Sequence, residues 1–292
     1  MSRFTTISSV KCAPRIIFSL HTCLLLLITL IVTACDETNS QLAVQRFTRD
    51  EIPSALSDWQ LLAKEENRLI FAEGTTAYTL KDALFTDYAQ KLRLIWMPEG
   101  QLANLDERGV IRFPVGTIIS KTFYYPLDES GQVILKQATS WQEPVTQLEL
   151  ERVRLIETRL LVHQENGWQA IPYVWNKEQT EAQLALGGDW ISLNTNSNIA
   201  PNQVDHATSQ SFDYIVPDAD QCAGCHATDH SSGEPIPIGP KARHLNVKLN
   251  HNGSPIHQLS YWQQTGKLNG EISHFINQSN TANTEAASQL EQ

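Results

Sequence analysis

Sulfur is scarce in this chain of 292 residues, which holds two methionines and five cysteines. Cys12 and Cys23 sit inside an N-terminal apolar stretch and Cys35 closes it, so Cys222 and Cys225 serve the remaining length. Two thiols this close cannot build the disulfide framework of small exported domains. A four-ligand zinc site would want further thiolates, and none remain. Basic residues are also the minority, 22 Lys and Arg against 32 Asp and Glu. That balance argues against nucleic acid and against direct electrostatic adhesion to anionic lipid. It mildly favours basic or neutral docking partners, although a solvated surface accounts for it equally well. Neither G-x-S-x-G nor H-E-x-x-H occurs, no paired-carboxylate site stands out, and no internal repeat recurs at a fixed period.

What is present begins with a leader. Arg3, Lys11 and Arg15 precede an uncharged, mostly apolar run over 16–32, followed by Val32-Thr33-Ala34-Cys35. This order reads as a lipoprotein signal peptide over 1–34, with Cys35 as the lipidated new N-terminus. The alternative is an uncleaved anchor helix, since about 17 apolar residues lie at the lower limit for spanning a bilayer. Either way the remainder faces an extracytoplasmic space. Without the leader, 19 basic residues face 32 acidic ones over 258 positions, a formal −13, on a chain long enough for one large domain or two small ones. Asp36 directly after Cys35 resembles the enterobacterial signal for inner-membrane retention. The expected location is therefore a periplasm-facing lipoprotein held by its lipid anchor, in the inner membrane in preference to the outer.

The two remaining cysteines lie in Cys222-Ala223-Gly224-Cys225-His226. In C-x-x-C-H, two thiols on one side of a turn take up the vinyl groups of a haem as thioethers, and the adjoining histidine supplies an axial nitrogen to the iron. The expected cofactor is thus one covalent haem c with its iron, bound by Cys222 and Cys225 and ligated by His226. A local Cys222–Cys225 disulfide and half of a zinc site are the other readings.

Around the motif the chain divides by composition. Residues 35–49 are polar and read as a tether. A short helix capped by Ser54 is expected at Leu56, Trp59 and Leu62. The span 50–193 then reads as an antiparallel β-sandwich or barrel, with strands over 68–72, 91–97, 117–125, 133–136, 152–163 and 168–175. Asn166-Gly167 predicts a hairpin pairing 159–164 with 168–173, with positive φ at both central residues. Trp168, Tyr173, Trp175 and Trp190 could line a sugar-type pocket but fit a sandwich core better. An Asn- and Ser-rich linker is expected over 194–211, and a small, mostly irregular or α haem-binding segment over 212–276. Within that segment a helix should open at Ser254-Pro255 and stop at Gly266. Residues 277–292 read as a disordered tail.

Several segments carry a resemblance: Ala83-Leu84-Phe85-Thr86-Asp87-Tyr88-Ala89-Gln90-Lys91, Phe113-Pro114-Val115-Gly116-Thr117 with Lys121-Thr122-Phe123, Glu157-Thr158-Arg159-Leu160-Leu161-Val162 and Pro172-Tyr173-Val174-Trp175-Asn176. Beyond the haem motif come Ile238-Gly239-Pro240-Lys241-Ala242-Arg243 and Gln258-Leu259-Ser260-Tyr261-Trp262. Together they resemble a family of exported di-haem c-type cytochromes of environmental Gram-negative bacteria, over roughly 56–268. The resemblance implies a haem-bearing electron carrier. Full-length relatives carry a second C-x-x-C-H module beyond the position of Leu268, together with a methionine suited to iron. This chain has one motif, so a second haem is expected to be absent or to lie on another polypeptide.

The sixth iron ligand stays open on sequence alone. Met97 is the one methionine outside the leader and falls in an expected strand. His230 is too close to His226 to reach the opposite ring face easily, and His244, His251, His257 and His274 are each better explained as surface residues. Three functions remain. The first is an electron-carrying cytochrome docking a redox partner, a second haem protein being one candidate. The second is a haem enzyme with an open iron position or a β-domain site coupled to the haem. The third is a haem-free binding module closed by a Cys222–Cys225 disulfide.

Overall fold

The computed structural model describes residues 42–82, 84–136, 144–196, 210–218, 221 and 236–277, all within one compact unit spanning 41–292. The strands are β1 (Leu62–Glu65), β2 (Arg68–Phe71), β3 (Thr76–Ala77), β4 (Gln90–Trp96), β5 (Ala103–Leu105), β6 (Ile111–Arg112), β7 (Ile118–Pro126), β8 (Leu148–Glu149), β9 (Val153–Gln164), β10 (Gly167–Trp175), β11 (Ala182–Leu184), β12 (Asp189–Thr195) and β13 (Gln210–Val216). There follow α1 (Ala242–Leu245), β14 (Lys248–His251), β15 (Ser254–His257), α2 (Gln258–Gln264) and β16 (Leu268–Asn269). The protein is mainly β and built from several antiparallel sheets, as the strand-rich sequence predicts.

The central sheet has the order β11-β10-β9-β7-β4-β3. One face packs on the small sheet β1-β2-β8 through Leu92, Leu94, Ile118, Leu160, Val162, Ile171 and Tyr173 on the large side and Leu62, Leu69 and Leu148 on the other. Trp59 is sealed in this layer and donates from Nε1 to Tyr173 Oη at 2.7 Å. Each such buried large side chain contributes roughly 1.5–3 kcal/mol.

The opposite face carries two separate covers. The β12–β13 hairpin lies over one end, where Phe123, Ile156, Tyr214 and Val216 cluster. The chain after residue 236 covers the other end, with Ala242, Leu245, Leu259 and Trp262 against Ile95, Ile119 and Leu161. Gln258 clamps this second cover by accepting from Thr79 N and donating to Thr79 O, both at 2.9 Å. β16 extends it as a parallel partner of β5.

A bulge in β9 decides which side chains reach that face. Phe123 pairs with Glu157 but Tyr124 pairs with Leu155, so Ile156 is an extra residue. Leu155 and Leu160 therefore share the apolar layer despite their odd spacing, while Ile156 and Glu157 both point to the other side. Without the bulge, the alternation that runs from Val162 to Glu157 would continue and exchange the faces of Leu155 and Ile156.

Several expected elements differ. The helix near Leu56 is one 3₁₀ turn, Leu56–Trp59, whose cap position is Ala55 with no side-chain cap bond, so Ser54 does not cap it. Val133 makes isolated bridges to Leu127 and Thr195 in place of a strand over 133–136. At Asn166-Gly167 the hairpin forms with Gln164 opposite Gly167, but of that pair Gly167 alone has positive φ, +109°. Asn252-Gly253 is the turn in which both residues do, at +51° and +80°. It closes β14 on β15, so Ser254-Pro255 lies in a strand and α2 starts at Gln258. A local turn that satisfies a ladder on both sides outweighs a cap signal that satisfies one amide. Helix α2 does end just before Gly266. The chain expected to lead into the haem segment, 212–217, is largely β13, paired along its length with β12 from Asp189 to Thr195.

Candidate functional site

On the doubly covered face, register stacks charged side chains in adjacent strands. Arg93 of β4 lies opposite Lys121 of β7, and Lys121 opposite Arg159 of β9. This rung falls between an apolar rung at Ile95, Ile119 and Leu161 and one at Lys91, Phe123 and Glu157. Rungs on one face are about 6.8 Å apart. The row thus sits between the two covers. Three cations directly opposite one another in a sheet repel.

Phe123 is the platform of the cluster. The Arg159 guanidinium lies 4.5 Å from its ring centroid, Lys121 Nζ 5.5 Å and Lys91 Nζ 5.9 Å. Glu157, fully buried, receives Arg159 Nε at 2.7 Å and Tyr214 Oη at 2.6 Å. Burial first, then the neighbouring Glu157 carboxylate, raises the Tyr214 phenol pKa and keeps it a donor. Lys91 donates to Leu84 O at 2.6 Å. Desolvation, with Arg93, Lys121 and Arg159 nearby, lowers its ammonium to about 8 against a partial offset from Asp87. Arg93 is 8 % exposed, and its guanidinium makes no hydrogen bond or ion pair among the described residues. The groups that act on it are the phenols of Tyr78 and Tyr124, and burial drives the Tyr78 pKa up to about 12, so that ring stays neutral near pH 7.

Cys35, Cys222, Cys225, His226 and His230 lie outside the described residues. Among the described residues no three His, Cys, Asp or Glu side chains converge as a metal site, and no helix is long and apolar enough to cross a membrane. Met97 is buried in the cluster under α2. His244 lies beside the chain that follows the motif: its Nδ1 would be 2.8 Å from a Cβ at Gly239. Burial, then Arg243 and Lys241, lowers its pKa. His257 has Nδ1 enclosed without a partner and is also lowered, by burial and Lys248. His251 packs on Tyr261 at 5.0 Å between centroids, and His274 on Phe275 at 5.4 Å.

The four aromatics do not form one pocket. Tyr173 and Trp175 belong to the layer against the small sheet, Trp168 to the opposite face, and Trp190 is 69 % exposed on β12. His163 stacks on Trp168 at 4.3 Å, which accounts for both. A cavity of about 580 Å³ lies elsewhere, between Phe71, Thr76, Leu249, His251, Ile256 and Tyr261.

The cation row was not anticipated from sequence. Its trace there is weak: Lys91 and Arg93, two apart, interrupt one apolar strand and Lys121 alone interrupts another. That they meet Arg159 on one rung depends on strand register. No protein-family model, curated protein or solved structure matches the chain.

Proposed function

We propose that this chain is an exported, lipid-anchored c-type cytochrome that carries single electrons through one haem. Cys222 and Cys225 hold the haem by thioether bonds, His226 ligates the iron, and Cys35 carries the anchor on the periplasmic side of the inner membrane. The observation that carries this reading is a C-x-x-C-H motif whose cysteines are the two left outside a lipoprotein leader. The resemblance to exported di-haem cytochromes supports it. So do the described residues on either side of the motif, Val216 and Ala242, which are buried in the two covers of one sheet. In the finer fold this gives a layered β scaffold presenting a haem segment, with a redox protein as partner.

Haem-linked peroxidase staining of the exported chain on a denaturing gel tests the reading. Wild type should stain, and Cys222→Ser with Cys225→Ser should be exported without stain. An unstained wild type refutes the cytochrome and leaves the disulfide-closed binding module. Low-spin six-coordinate iron is expected in the optical spectrum; high-spin iron that binds carbon monoxide rapidly would instead make the protein a ligand-handling haem enzyme.

A further inference from the structure

We propose that the cavity between β3 and the β14–β15 hairpin is a binding site for a neutral sugar. It stands on the fold alone and does not depend on the function proposed above.

The cavity is a gap between two sheets whose edges are held together nearby. β3 is the last strand of the central sheet, and β14 with β15 forms a sheet of its own. Thr79, just beyond β3, and the buried Gln258, directly after β15, are joined by two hydrogen bonds of 2.9 Å. The two walls are thus fastened to each other a few residues from where they line the cavity. Each wall is also pinned by itself. The turn before β3 is held by Thr75 Oγ1 donating to Ala72 O at 2.7 Å and by Lys267 Nζ donating to Gly74 O at 3.1 Å. In the hairpin Leu249 lies opposite Ile256 and His251 opposite Ser254, so Leu249, His251 and Ile256 share one face. A site that holds its shape without a ligand loses little to ordering when one enters. Its volume of about 580 Å³ falls within the range of about 300–1,000 Å³ that small-molecule sites occupy.

The lining selects the class of ligand. Among the described residues it contains no Asp, Glu, Lys or Arg, so a charged ligand would lose its hydration without gaining a counter-charge. A hydrocarbon is excluded for the opposite reason. Thr75, Thr76, Thr146 and Tyr261 bring hydroxyls to the wall, and those of Thr76, Thr146 and Tyr261 make no hydrogen bond among the described residues. Apolar atoms laid over them would strip their water and return nothing. Aromatic rings complete the lining, Phe71 on one wall and the pair His251 and Tyr261, 5.0 Å between centroids, on the other. A sugar ring meets all three conditions. It is uncharged, its rim of hydroxyls donates to and accepts from threonine and tyrosine hydroxyls, and its C–H faces rest on the electron-rich faces of aromatic rings.

Saturation-transfer NMR and calorimetric titration of the full exported chain with glucose, galactose, N-acetylglucosamine, cellobiose and lactose test the site. At least one of these should bind. Glucuronate and galacturonate, the same rings with a carboxylate added, should bind more weakly than their neutral parents. Tyr261→Phe keeps the ring and removes one hydroxyl, and should weaken the bound sugar about 5- to 10-fold. His251→Ala removes an exposed ring from the wall and should weaken it as well. Should Tyr261→Phe fail to fold, Thr146→Val, at an exposed position just before β8, carries the same comparison. Trp190→Ala serves as the control, since Trp190 is an aromatic 69 % exposed on β12 and away from the cavity, and it should leave the affinity unchanged. Failure of all five neutral sugars to bind overturns the proposal. So does binding that survives the cavity variants at full strength or is abolished by Trp190→Ala. A uronate that binds more tightly than its neutral parent overturns the neutral class.

Discussion

Glu157 is the residue on which the buried polar cluster turns, because it neutralises Arg159 and holds Tyr214 of the β12–β13 cover with the same carboxylate. Glu157→Gln keeps the shape and removes the charge. Its pairing partner Arg159 is partly open to water, its side chain 25 % exposed, so the loss should fall below that of a sealed pair, at about 2–3 kcal/mol in urea unfolding. A change under about 0.5 kcal/mol would mean that the pair is not formed in solution. Lys91 gives a pH signature. Its ammonium is lowered from an ordinary 10.5 to about 8 in the folded chain. Between those values the unfolded chain binds more protons, so stability rises with pH. The Lys91 penalty is fully present below pH 8 and is relieved as pH climbs. Above pH 10 the buried phenol of Tyr78, raised to about 12, acts in the opposite sense. The urea midpoint of wild type should therefore increase from pH 8 to pH 10, and Lys91→Gln should flatten that increase. Parallel pH profiles for the two proteins would refute the assignment.

Among the elements, the β14–β15 hairpin turned on two residues with positive φ, Asn252 and Gly253. A Cβ at Gly253 would meet nothing within 4 Å, so substitution there carries a conformational cost without a clash. Gly253→Ala should destabilise by about 1–2 kcal/mol, and Gly253→Asn by less, because asparagine enters the left-handed region more readily. Equal costs for the two would show that the turn has another geometry. The β9 bulge works in the same local way with a distant outcome. One inserted residue, Ile156, returns Val153 and Leu155 to the apolar layer although Glu157 and Arg159 occupy the opposite face.

For the whole molecule, the segment after the motif is part of the scaffold. Trp262 is fully buried against Tyr78, 5.9 Å between centroids, in a cluster shared with the central sheet. Trp262→Ala should cost about 3–5 kcal/mol and lower one unfolding transition common to sheet and C-terminal cover. Its indole Nε1 is enclosed without a partner, so Trp262→Phe sacrifices no hydrogen bond and should cost far less. Two separate transitions by calorimetry would show that the cover folds independently.

The strands of the central sheet were legible in the sequence because one face of each is mainly apolar, and β-branched or aromatic runs between turn signals identify such segments with little tertiary help. Residues 68–71, 91–96, 118–125, 153–163 and 168–175 lie in strands as expected. The C-x-x-C-H motif and the leader are patterns of the sequence alone, and the function proposed above rests on them. Tertiary structure decided what depends on register. No local pattern places Arg93, Lys121 and Arg159 on one rung, because β4, β7 and β9 are separated by long stretches of chain and a slip of one residue would turn each to the other face. It also decided the fate of 212–217, which reads as an extended lead to the motif and becomes a cover strand through its pairing with β12. Pairing partners are chosen by the burial of Tyr214 and Val216 under the hairpin, a free energy that exists only once both strands lie on the sheet.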